Sequence, residues 1–128
     1  RQPAAGPPPA LRDTTQYHLG ALGGVALGFT DACARGAHAL YVAAAEASPD
    51  ATRDGEVTGS VLGIIPRGGG PARHATITAA NGTHVREKVE GVAPHPTDPS
   101  RAFVVIDSDD AVRPSELCEV RLAGGWPA

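Results

Sequence analysis

The chain's only lysine, Lys88, stands two positions before Glu90 in "REKVEGV". Strand side chains alternate, so ammonium and carboxylate share one face while Val89 and Gly91 point the other way. Two chemistries fit that pair. As an ion pair it fixes packing or register. As an open carboxylate, Glu90 would serve as a metal or substrate ligand, because burial without a partner is costly or drives protonation. Gly91 admits close approach of a backbone or ligand. A nucleophilic role for Lys88 would require a carbonyl pocket, and no motif supplies one.

Asp31, in "FTDA", is the next candidate. Asp31 and Glu90 converging on one axis, with carbonyls and waters, would suit a hard, oxygen-seeking ion such as Ca²⁺. The alternative is that Thr30 and Asp31 bond local backbone in a turn. A third group is acidic: Asp107, Asp109 and Asp110 in "VVIDSDD", and Glu46, Asp50, Asp54 and Glu56 around "EASPDATRDGE". The complete calcium-loop spacing is absent, so these residues describe an acidic, turn-forming loop rim that would attract cations or basic ligands.

Other chemistries lack their signatures. His18, His38, His74, His84 and His95 show no HxH or HExxH spacing. Ser60 and Ser115 lack the G-x-S-x-G elbow. "PRGGGP" is bracketed by prolines and opens no phosphate-binding helix. Cys33 and Cys118 permit one disulfide at most; isolated in apolar runs, they suit small core positions better than a zinc site.

The elements that must position these residues are strands. Apolar runs alternate with Gly, Pro, Asp and Asn clusters, which predicts strands near 15–20, 25–33, 38–46, 58–65, 73–79, 84–93, 101–108 and 116–122. Alanine-rich "ALYVAAAEAS" would also suit a helix, but its apolar residues run without helical spacing and Pro49 stops it. A continuous apolar run fits a strand covered on both faces. Residues 1–14 form a Pro/Ala-rich linker or loose end, and 123–128 a tail.

A weak repeat organises the strands. "GFTDACARGAHALYVAAAEAS", an acidic loop and "GSVLGII" are matched later by "KVEGVAPHPTDPSRAFVVIDSDD", a loop and "ELCEVRL". Repeated units of four antiparallel strands are blades of a β-propeller. On that reading 15–20 is the outer strand of a preceding blade, 25–79 one blade and 84–122 most of another. Lys88, Glu90 and Asp31 would then line the central tunnel. About two blades leave apolar faces uncovered, so the remaining blades are expected in cis or by self-assembly. A β-sandwich is the alternative fold; the Asn81–Gly82 hairpin signal favours it slightly.

Composition narrows the partners. A formal charge of −3 and a pI near 5.9, with scattered arginines, give no nucleic-acid footprint. No run nears the roughly 18 apolar residues of a membrane helix, and no signal segment opens the chain, which implies a soluble protein of undetermined location. Arg1 and the lack of methionine suggest a fragment.

"LGFTDA", "VAAAEASPDATRDGEVTGSVLGII", "KVEGVA" and "VVIDSDDAVRPSELCEV" together resemble an uncharacterised group of bacterial β-propeller proteins over residues 20–122. More distantly, the Glu-Gly strand is similar to that of esterase-like phytase and gluconolactonase-type propellers. That resemblance implies a divalent-metal ligand at Glu90; the asparagine and aspartate ligands from other blades have no matching motif here. The functional expectation is a binding or scaffold module with an acidic loop face and a small-molecule or protein ligand. The alternative is a Ca²⁺-assisted hydrolase of an ester, lactone or phosphate.

Overall fold

The structure, a computed structural model, describes residues 6–47, 56–68, 70–107, 112–123 and 126. Among these the regular elements are eight strands: β1 (Ala21–Leu22), β2 (Val25–Arg35), β3 (His38–Ala47), β4 (Glu56–Pro66), β5 (Arg73–Thr76), β6 (Val89–Pro94), β7 (Arg101–Ile106) and β8 (Glu116–Arg121). All pairings between them are antiparallel. They form a five-stranded sheet in the order β1-β2-β3-β4-β5, curled into a half-barrel, and a three-stranded sheet, β6-β7-β8. Register shifts leave Thr30 of β2 unpaired opposite Ala43/Val42 and Thr58 of β4 unpaired opposite Ala45/Glu46, bulges that bend and twist a strand.

The alanine-rich segment is strand β3, at the centre of the larger sheet, and it is buried on both faces. Leu40 and Val42 point toward the smaller sheet and join Leu62, Val89, Val92 and Val104 in one core. Tyr41, Ala43 and Ala45 point the opposite way and pack with Leu19, Leu27 and Val61 in a second core. The alternation of two confirms the strand and explains why the run lacks a polar face.

Two expected strands differ. Residues 15–20 carry no ladder; Tyr17 and Leu19 instead cover the second core as an apolar strap, and pairing begins at β1. Residues 84–88 also lie outside any strand. The Asn81–Gly82 turn folds 83–85 back on 77–79, with a Thr78–His84 bridge and a 3.0 Å bond from the Val85 N–H to the Ile77 carbonyl. Asn81 Oδ1 accepts from the Thr83 amide and hydroxyl, and Gly82 adopts φ 87°. The backbone of this segment is therefore committed before β6 starts at Val89. The expected strand over 73–79 is laddered only through Thr76.

Cys33 and Cys118 are free thiols that both pack against the core between the sheets. Burial raises the Cys33 pKa, and the nearby Asp31 carboxylate raises it further, against a smaller opposing effect of Arg35. No described helix is long and apolar enough to cross a membrane.

Candidate functional site

Lys88 lies between two carboxylates. Its Nζ is 3.4 Å from Glu46 Oε2, on β3, and 4.0 Å from Glu90 Oε1, on β6. The neighbour expected from the sequence is present, and a carboxylate 42 residues away in sequence is closer. All three side chains are about one-third exposed, so this is a hydrated cluster that links the two sheets.

Asp31 does different work. Its Oδ2 accepts a 2.9 Å hydrogen bond from the Val92 amide of β6. Thr30, at the bulge, donates through Oγ1 to the Val89 carbonyl at 2.6 Å, with the Val42 carbonyl at 3.2 Å. Ser60, fully buried on β4, accepts from the Val89 amide at 3.0 Å and donates to the Glu87 carbonyl at 3.1 Å. These three side chains satisfy the open edge of β6, which no backbone ladder covers. The sequence reading of Thr30 and Asp31 as backbone-bonding residues captured the chemistry, although the backbone they bond is β6 across the seam.

This arrangement does not fit a calcium centre. A Ca²⁺ site gathers about six to eight oxygens. Among the described residues, no group of three or more His, Cys, Asp or Glu is arranged to hold a metal ion. Asp31 is engaged by an amide, and Glu90 faces Lys88. Of the acidic rim, Glu46 belongs to the Lys88 cluster and Asp107 follows β7. Asp50, Asp54, Asp109 and Asp110 lie outside the described residues, as does the side chain of Glu56.

A feature with no residue-type signature lies at the opposite side of the core. Between β5 and β8 runs a groove of about 410 Å³, lined by Thr76, Ile77, Arg121, Leu122 and Trp126, with Leu62 among the deeper residues. Its volume falls in the range of ligand pockets, about 300–1,000 Å³. Both bordering strands are sheet edges. Glu119 also lines it, with its carboxylate held by Arg101 of β7.

Residues 3–122 match the model of a family of unknown function, DUF6929. The chain belongs to that family. No curated protein and no solved structure matches it. DUF6929 membership covers both sheets, the seam between them and most of the groove wall.

Proposed function

We propose that the chain is a binding module whose two sheets are neighbouring blades of a β-propeller. The first strand of the smaller sheet, β6, abuts β2 and β3, and a connection over 77–88 leads to it from the last strand of the larger sheet. The later strands diverge around the groove. Close contact at the inner strands with separation at the outer ones is the wedge expected of adjacent blades. The outward Val105 and Leu117, 39% and 72% exposed, offer a surface for a further blade in cis or by self-assembly. The acidic sequences 48–55 and 107–115 lie between corresponding strand pairs in the chain, β3 to β4 and β7 to β8, and supply the acidic character of the proposed binding module.

One observation carries the binding reading over the hydrolytic one: Asp31 Oδ2 accepts from the Val92 amide, while Glu90, 4.0 Å from the Lys88 ammonium, belongs to a hydrated ion cluster. A thermal melt with excess Ca²⁺ and then with EDTA tests this. A ligand specific for the folded state would add about 2.7 kcal/mol at a hundredfold excess over its Kd. The binding module melts at the same temperature in both. A rise with Ca²⁺ that disappears in Glu90→Gln would overturn this reading and favour the hydrolase.

A further inference from the structure

We propose that Asn81 is a modification site: the folded turn holds it as an unreacted amide, and opening of its Thr83 clamp lets it convert to aspartate and isoaspartate through a succinimide.

Asn81 is the chain's only asparagine, and a glycine follows it. The turn itself calls for that glycine, since Gly82 adopts φ 87°. With no side chain on Gly82, nothing obstructs attack of its backbone nitrogen on the neighbouring amide carbon. In that step Gly82 N gives up its proton to a solvent base and attacks Asn81 Cγ. The N–Cγ bond forms, the Cγ–Nδ2 bond breaks, and Nδ2 leaves as ammonia with a proton from water. Water then opens the ring at one carbonyl or the other, giving aspartate or isoaspartate. Nothing is oxidised or reduced.

The turn engages both reacting groups. The Gly82 N–H donates to the Ala79 carbonyl at 2.9 Å. An imide nitrogen carries no hydrogen, so ring closure and this bond exclude each other. Asn81 Oδ1 accepts from the Thr83 amide at 3.0 Å and from the Thr83 hydroxyl at 2.7 Å, which fixes the amide in one orientation. Closure therefore proceeds from openings of the turn, whose frequency these three bonds set. Every group involved lies within 79–83, and the reaction takes only water from outside.

The two products differ in consequence. Aspartate keeps the main chain and an acceptor oxygen for Thr83. Isoaspartate routes the main chain through Cβ and Cγ and lengthens it by one methylene. The bonds from the Ala79 amide to the Thr83 carbonyl, at 2.8 Å, and from the Val85 amide to the Ile77 carbonyl, at 3.0 Å, then lose their register. Isoaspartate thus loosens the lead into β6, just ahead of the Glu87 and Val89 groups that Ser60 clasps.

The test incubates the whole chain in mildly alkaline buffer and follows Asn81 by mass spectrometry, with enzymatic methylation to count isoaspartate. The unfolded reference is the peptide acetyl-Ala-Ala-Asn-Gly-Thr-His-Val-amide. The folded chain should react at least about tenfold more slowly than the peptide, as the bonds of the turn must open first. Thr83→Val removes the hydroxyl donor and keeps the amide. It should react several-fold to about tenfold faster than wild type, the value of one hydrogen bond, whereas Thr83→Ser should match wild type. Hydrogen exchange at the Gly82 amide should quicken by the same factor in Thr83→Val while the Val61 amide of β4 is unchanged, which separates opening of the turn from unfolding. A folded chain that reacts as fast as the peptide, or a peptide that stays intact, would overturn the site. Equal rates for wild type and Thr83→Val, or the same acceleration in a peptide carrying valine, would overturn the clamp.

Discussion

Lys88 Nζ is closer to Glu46 Oε2, at 3.4 Å, than to Glu90 Oε1, at 4.0 Å, although Glu90 is two residues away. The lone lysine thus spans the sheets, from β6's leading end to β3. Partial exposure keeps its value small, at most about 1 kcal/mol. Lys88→Met should lower stability by no more than that in urea denaturation, and the difference should shrink at high salt. Glu46→Gln should cost more than Glu90→Gln. A salt-independent loss well above this range would mean that the pair is buried.

The seam residues should be more sensitive. Ser60→Ala leaves both the Val89 amide and the Glu87 carbonyl without their partner, and an unsatisfied buried group costs about 1–3 kcal/mol. Asp31→Ala leaves the Val92 amide bare, whereas Asp31→Asn keeps an oxygen acceptor. Chemical denaturation should therefore rank Asp31→Asn well above Asp31→Ala in stability. Equal losses would show that charge, and not the hydrogen bond, matters at this position.

Tyr41 occupies the space that a side chain on Gly63 would need. A Cβ there would lie 2.2 Å from Tyr41 Cζ and 2.4 Å from its hydroxyl oxygen, and the ring is fully buried. Gly63→Ala should destabilise by at least about 1–3 kcal/mol, the usual cost of overpacking. In a double-mutant cycle with Tyr41→Leu, the alanine should cost much less, because the ring is gone. Additive losses would rule out this contact as the cause.

Asp98, in the turn between β6 and β7, supplies a pH test. Hydrogen bonds from the Ser100 hydroxyl and amide hold its carboxyl below the ordinary value of 3.8 against desolvation, with lesser help from Arg101 and His95. The folded value is depressed, so the contribution is complete above the unfolded value and is lost as pH falls through the folded one. The melting-temperature gap between wild type and Asp98→Ala should stay constant from neutral pH to about 5 and close at pH values below 3.8. A gap that persists in stronger acid would exclude ionised Asp98 as its source.

Much of the fold was legible because β2, β3, β4, β7 and β8 carry apolar runs bounded by turn residues, and their observed limits lie close to those expected. The strand at 15–20 was misread because an apolar strap and an apolar strand have the same composition. Lys88 and Glu90 were legible as neighbours by the two-residue period. Glu46 was not, since only the β3–β6 approach brings it near. Ser60 was set aside as a nucleophile for want of the G-x-S-x-G elbow, and its part as a clasp for β6 went unread; a single hydroxyl in an apolar run carried the signal, as buried polar groups need partners. The groove had no signal at all, because backbone edges, which every residue type shares, form its border.

The seam has an evolutionary consequence. Each sheet completes its ladders internally, and named strands of one sheet do not ladder with those of the other. Their union depends on the core contacts and a few side chains, chiefly Thr30, Asp31 and Ser60. A gene segment encoding one sheet can therefore be duplicated, exchanged or deleted without rewiring the pairing of its neighbour, provided that the clasp residues travel with it. Within this chain the joint between the sheets is therefore written in side chains and not in backbone pairing.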